Sequence, residues 1–248
     1  MKFLTVGAGV FAGLVGGTAL HAQGVELGIE MPYLSVFANH GAGEIDGGNA
    51  FFDDPNSAAA FRITGEYGFA NGVGVRSTYF EFEGDFETEG DIFDTASFDV
   101  EAIFEQQLGS ASLEFFGGLR AAELEWSDEN QDIGFEFAGV GPTFGTEFSQ
   151  SFGQNFGFSM SGRYSALFGQ IEALADDGIA DNVMVPTFDL RMGMDYSYAL
   201  SNSGAIDVGF GIESRTHLSL SGNVDDEIDP EDVDVTIAGP YFQAAYKF

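Results

Sequence analysis

The chain has no cysteine. It can form no disulfide, and it cannot carry an N-terminal lipid on Cys. Positive charge is scarce: eight Lys and Arg stand against 40 Asp and Glu, for a formal charge of −32. Such a chain repels nucleic acid and anionic surfaces and attracts cations. There are three histidines, and only His40 and His217 lie beyond the first 22 residues. No Gly-x-Ser-x-Gly elbow, zinc signature or phosphate loop occurs, so the sequence names no catalytic residue, metal site or cofactor. After the first 22 residues no apolar run is long enough for a membrane-spanning helix. High net charge often accompanies disorder, but 44% hydrophobic and 15% aromatic content points to a folded chain.

Met1 to Ala22 reads as a secretory leader. Lys2 supplies the charge, Phe3 to Leu20 is apolar and free of acids, and Ala22 offers a small residue for cleavage, with Ala19 as an alternative. The chain turns polar and Gly-rich directly afterwards, which favours a cleaved leader over a transmembrane helix. The organisation expected is a signal peptide over 1–22 and one exported domain over 23–248.

Within that domain ten segments alternate with period two, near 25–37, 58–69, 73–83, 95–106, 111–124, 134–148, 156–169, 185–198, 205–217 and 234–248. Each matches or exceeds the roughly 9–11 residues a tilted strand needs to cross a bilayer. The stripes are one-sided. Phe61, Ile63, Tyr67 and Phe69 alternate with Arg62, Thr64 and Glu66. Phe188, Leu190, Met192, Met194, Tyr196 and Tyr198 alternate with Asp189, Arg191, Asp195 and Ser197. One apolar and one polar face suit a strand between lipid and a lumen. Short connections at 70–72, 107–110, 149–155 and 200–204 alternate with longer ones at 38–57, 84–94, 125–133, 170–184 and 218–233. The fold expected is all-β: a transmembrane antiparallel up-and-down β-barrel of ten strands, with both termini periplasmic and the long loops outside.

Four prolines, Pro32, Pro142, Pro186 and Pro240, fall inside these segments or at their starts, where proline removes a ladder hydrogen bond. Stripe parity changes at Gly141-Pro142 and Gly239-Pro240. Phe135 and Phe137 are odd-numbered but Phe144 and Phe148 even; Val235 and Ile237 are odd but Phe242 and Tyr246 even. One inserted residue does this, so a β-bulge is expected at each pair.

The polar face carries charges of both signs. Arg62, Arg76, Arg120, Arg163, Arg191 and Arg215, with Asp99, Asp189 and Glu213, form a candidate belt inside the barrel. Such a belt is either a constriction that selects ions or a salt-bridge network that fills a narrow lumen. The loop residues Asp225, Asp226, Glu227, Asp229, Glu231 and Asp232 make the expected outer mouth acidic. Their spacing matches no calcium loop, so a solvated anionic surface is expected, with weak divalent bridging to lipopolysaccharide as an option. His217 falls near Glu213 and Arg215 at the outer end of its segment, where a rim hydrolase would need a histidine and acidic partners.

The chain ends on an aromatic row, Phe242, Tyr246 and Phe248, which resembles the assembly signal of bacterial outer-membrane barrels. Barrel-assembly machinery and periplasmic chaperones are the implied partners, beside outer-membrane lipid and lipopolysaccharide; the sequence leaves oligomeric state open. Gly72-Val-Gly-Val-Arg-Ser-Thr-Tyr-Phe-Glu-Phe82, Phe98-Asp-Val-Glu-Ala-Ile-Phe104, Gly117-Gly-Leu-Arg-Ala-Ala-Glu123, Gly139-Val-Gly-Pro-Thr-Phe-Gly145 and Gly162-Arg-Tyr-Ser-Ala-Leu-Phe-Gly169 occur in order. In these stretches the chain resembles the Legionella-type major outer-membrane protein family of pore-forming barrels. The resemblance implies a porin role: passive diffusion of ions and small polar solutes, with the acidic mouth favouring cations. The alternative is a closed barrel acting as a surface adhesin or envelope-structure protein, with a hydrolase third. Deleting Phe248, or changing it to Asp, should sharply lower the amount of protein assembled in the outer membrane. Normal surface levels of both variants, measured by surface labelling, would show that this ending is not an assembly signal.

Overall fold

The period-two segments assemble into one sheet that closes on itself. The computed structural model describes residues 24–40, 57–69, 72–85, 91–128, 133–153, 155–173, 179–200, 204–218, 220 and 233–248. The expected leader over 1–22 and the acidic segment 225–232 lie outside the described residues. The strands are β1 (Gly24–His40), β2 (Ser57–Ala59), β3 (Phe61–Gly68), β4 (Val73–Asp85), β5 (Asp91–Leu108) and β6 (Ala111–Asp128). They continue with β7 (Ile133–Phe152), β8 (Phe156–Ala173), β9 (Ile179–Ala199), β10 (Ala205–His217) and β11 (Val233–Lys247). From β3 onward each pairs antiparallel with the next, and β11 pairs with β1 to close the barrel. β2 and β3 both pair with β1 in one unbroken register, and Ala60 N between them donates to Pro32 O at 2.8 Å. They are one stave, so the barrel has ten strands.

The expected bulges at the two Gly-Pro pairs are absent. β7 pairs with β6 residue for residue through Pro142, and β11 with β10 through Pro240. On its other side each Gly-Pro pair interrupts the ladder, but the register is the same before and after the gap. A Cβ on Gly141 would lie 1.7 Å from Ala166 O, and one on Gly239 2.1 Å from Tyr33 O. Glycine stands there because the neighbouring backbone comes too close for a side chain. Among the described residues the one register shift lies between Gly169 and Gln170, in the β8–β9 ladder.

Parity changes for a different reason. β5 to β9 are 18 to 21 residues long, and a crossing uses roughly 9–11. Toward the termini, the outer face is apolar: Leu119, Val140, Phe144, Phe210 and Phe242 are each more than half exposed. Toward the opposite end the pattern inverts. Glu83, Asp94, Glu125, Glu136 and Glu172 stand directly opposite one another across β4 to β8. One residue away from each, and facing inward, are Phe82, Phe93, Leu124, Phe137 and Ile171, all 0–2% exposed. This end is built like a water-soluble barrel, acidic outside and apolar inside.

The inward residues form a continuous apolar layer with Leu34, Val36, Val185, Val235 and Ile237. Burying each large side chain contributes about 1.5–3 kcal/mol, so the layer is a principal source of stability in the projecting end. Leu119→Arg places a charge on the lipid face and should cost about 2–4 kcal/mol. Glu136→Arg, on the same face but in the projecting part, should cost nothing. Reversible urea unfolding in phospholipid vesicles measures both; equal effects would show that the two positions meet the same solvent.

Candidate functional site

Between the apolar layer and the terminal end, the lumen carries the charged belt. Each arginine arrives on an inward position of a different strand, and each meets a carboxylate from another. Arg62 on β3 donates to Glu30 at 2.5 Å and to both oxygens of Glu213 at 2.8 and 2.9 Å. Arg191 on β9 reaches the same two acids at 2.7 and 3.1 Å. Arg120 on β6, 1% exposed, donates to Asp99 at 2.7 and 3.1 Å and to Asp189 at 2.9 Å. Arg215 on β10 reaches Asp189 at 3.1 Å, and Arg163 on β8 reaches Glu101 at 2.9 Å. Arg76 on β4 pairs with Glu114 and lies 3.5 Å from Glu101.

All nine belt residues expected from the sequence therefore lie in the lumen, each in an ion pair. Glu30, Glu101 and Glu114 complete the set. Glu101 shows the same alternation as Asp99. Glu30 is flanked by outward Ile29 and Met31 in β1, an alternation that could have marked it.

Aromatic rings lie between the guanidinium groups. Arg62 and Arg215 stack on Phe80 at 4.9 and 4.2 Å, Arg76 and Arg163 on Phe116 at 5.0 Å each, and Arg191 on Tyr241 at 4.5 Å. Tyr241 lies across Gly193 and Gly211, whose added Cβ atoms would meet its hydroxyl oxygen at 2.3 Å and its ring at 2.7 Å. Phe116 lies across Gly145 in the same way, at 2.4 Å. Bare glycine on an inward position makes the shelf that lets a ring fill this narrow interior.

Below the belt a cavity of about 430 Å³ runs toward the terminal end, lined by Glu26, Glu66, Glu114, Glu147, Asp207 and Lys247 among others. Among the described residues no group of three or more His, Asp and Glu converges as a metal site. His217 is not a rim residue. It is 2% exposed and inside the barrel, and among the described residues neither ring nitrogen has a hydrogen-bond partner. The nucleophile or acid that rim hydrolysis would place on it is not there among the described residues. Phe242 and Phe248 lie on the outer face, 64% and 58% exposed, and Phe248 packs edge-on to Tyr246 with ring centres 4.5 Å apart.

A closed antiparallel barrel with a lipid-facing apolar band and a charged interior is an outer-membrane β-barrel protein of the bacterial envelope. The chain belongs to the family described as Legionella pneumophila major outer membrane protein precursor, whose model matches residues 49–248. No curated protein matches it. Among solved structures it is similar to the outer membrane protease OmpT from Escherichia coli, at 10% identity and a TM-score of 0.52, over 94% of this chain and 99% of that one. It also aligns with the translocator domain of autotransporter NalP from Neisseria meningitidis, at 9% identity and a TM-score of 0.46, over 98% and 94% of the two chains. The attachment invasion locus protein Ail of Yersinia pestis aligns at 16% identity and a TM-score of 0.39, over 90% and 98%. At 10% identity the likeness to the protease structure is one of fold alone.

Asp189 holds Arg120 and Arg215 together and lies 3.6 Å from Arg163. Asp189→Asn leaves buried positive charge uncompensated and should destabilise the barrel by about 3–5 kcal/mol. Among the described residues Arg215 has no other carboxylate partner. Adding Arg215→Met should therefore recover part of the loss, and urea unfolding of both variants would read the coupling. Strictly additive effects would show that the pair does not interact.

Proposed function

We propose that this outer-membrane barrel works with its lumen shut, as an envelope-structure or surface-contact protein. Its termini face the periplasm and its acidic end faces outward. The observation that carries this reading is the apolar layer. Lumen-facing residues of a standing pore touch water along its whole length, whereas Phe93, Leu124, Phe137, Leu167 and Val185 are 0% exposed. Beneath them Asp99 and Arg120, each 1% exposed, fill the next level with paired charge. Ten strands enclose little more than the eight whose side chains fill a barrel completely. The exposed surface chemistry of the projecting end is acidic, and contact with cationic surfaces or with cation-bridged anionic lipid fits it. The role is non-enzymatic in this reading, which the burial of His217 supports.

A second reading has its own support. The family resemblance implies a porin, and the polar cavity below the belt is a ready vestibule. Passive flow of small solutes, cations first, would then require the belt and the apolar layer to part.

Conductance of the refolded barrel in a planar bilayer separates the two. A folded, heat-modifiable barrel that stays silent is the expected result. Discrete steps with a cation-selective reversal potential across a salt gradient would replace the closed reading with the pore. Anion-selective steps would overturn the electrostatic argument as well. Replacing Glu83, Glu125, Glu136 and Glu172 with Gln should lower attachment to a cationic surface without weakening the fold, because like charges directly opposed across strands repel.

A further inference from the structure

We infer that His217 is an acid-sensitive latch on the lumen, which stays shut while the imidazole is neutral and opens when the imidazole takes a proton. This rests on the closed-lumen reading and supplies its regulation. The ground for it is a set of unsatisfied groups at the seam between the charged belt and the apolar layer. Arg215 Nη1 donates to Ser97 Oγ at 3.1 Å. One inward position further from the terminal end on the same two strands stand His217 on β10 and Thr95 on β5, both buried. Among the described residues neither imidazole nitrogen nor Thr95 Oγ1 has a hydrogen-bond partner. Every arginine of the belt below is paired, so the seam is where satisfaction fails. A buried polar group left unsatisfied weakens the fold, and its retention calls for a reason.

The surroundings of His217 make a second charge state costly. It stands directly opposite Val235 of the apolar layer on β11, and so lies in the projecting part. Opposite it on β9 is Thr187, whose hydroxyl already accepts from Arg120 at 3.4 Å. β11 presents Val235 opposite His217 and Ile237 opposite Arg215, neither of them titratable. The charged groups that act on the imidazole are Arg215 on its own strand, Asp189 on β9 and Arg120 on β6. Two of these are cations, and Asp189 is already shared by Arg120, Arg215 and Arg163. The belt has no spare acid either: its six arginines are matched by Glu30, Asp99, Glu101, Glu114, Asp189 and Glu213. Burial first, and the Arg215 guanidinium second, hold the imidazole well below the ordinary histidine pKa. A proton added to Nδ1 or Nε2 in the shut barrel makes a third cation at this level, with no acceptor among the described residues. Water reaches it as an acceptor only when the apolar layer lifts off the belt. The open form takes the proton near the ordinary value of about 6.5, and the shut form only well below it. Falling pH through that interval therefore favours the open form, by up to ~100-fold at about pH 4.5.

The test is conductance of the refolded barrel in a planar bilayer at about pH 7.5 and about pH 4.5, on either side of the histidine range. Silence at the higher pH and reversible discrete steps at the lower are expected. His217→Gln and His217→Phe fill the same place without a titrating group, and should lower the acid-induced open fraction about tenfold or more. Heat-modifiable mobility shows which variants fold, and either one decides. Should neither fold, amide exchange in the unmodified barrel decides, corrected for its intrinsic pH dependence. Acid should speed it at Val235 and Ile237, and unchanged protection there would overturn the latch. Steps already present at the higher pH would overturn the closed-lumen reading and the latch with it. Silence at both would leave that reading standing and overturn the latch alone. So would acid opening undiminished in the folded variants, because the belt carboxylates would then be the groups that sense acid.

Discussion

Each long strand of this barrel meets two solvents, and the architecture follows from that. Where the outer face meets hydrocarbon, apolar residues point out and charges point in. Where the same strand emerges into water, the assignment reverses. β7 shows both regimes in one run: Phe137 is inward and 0% exposed, while Phe144 is outward and 59% exposed. Hydrogen bonding along the ladder is indifferent to this change, so the register runs through it without a bulge. The barrel is thus a membrane barrel and a water-soluble barrel joined end to end on the same ten staves. Its projecting part has a dry core of its own, which a barrel flush with the membrane has no reason to build.

The membrane part has to solve a different problem. At the level of the belt its lumen is narrow, with Asp99 and Arg120 each 1% exposed, and its sequence is too polar for an oily core. Paired charge fills it, and the pairing is tight because a lone buried guanidinium would cost several kcal/mol. Rings and glycines set the spacing. Phe80, Phe116 and Tyr241 hold five arginines at fixed heights, and glycines on nearby staves give Phe116 and Tyr241 room. Substituting hydrophobic residues for a buried ion pair is often neutral or stabilising, so stability alone does not account for retaining six arginines here. A polar plug that meets a polar cavity below it does give them a place.

Much of this was legible in the sequence. Period-two stripes located all ten staves, and alternation put every belt residue on the inner face. The projecting end was not legible, because parity reports which residues share a face and says nothing about what that face touches. Val235, Ile237 and Phe242 are all apolar. Only the structure shows that the first two are buried inside and the third lies outside. The Gly-Pro pairs made a slipped register look reasonable, whereas the glycines answer to backbone contacts across the strand, at Ala166 and Tyr33. Glu30 was overlooked as a partner for Arg62 and Arg191; the β1–β3 register sets it directly opposite Arg62, and the closure of β11 on β1 brings it within reach of Arg191 on β9.

The scarcity of basic residues takes on a spatial meaning in this frame. Apart from Lys2, the chain has six arginines and Lys247, and all seven line the lumen. Every charged side chain on the outside of the described barrel is therefore an acid. A membrane barrel that spends all its positive charge internally leaves its exterior with no cation of its own. Neutrality there has to come from solution or from a partner, over a screening distance of about 10 Å at 0.1 M salt. The carboxylate row across β4 to β8 then depends on its surroundings: like charges directly opposed cost stability, and cations held near the row relieve that cost. The coupling between surface contact and barrel stability is a consequence of where the arginines went.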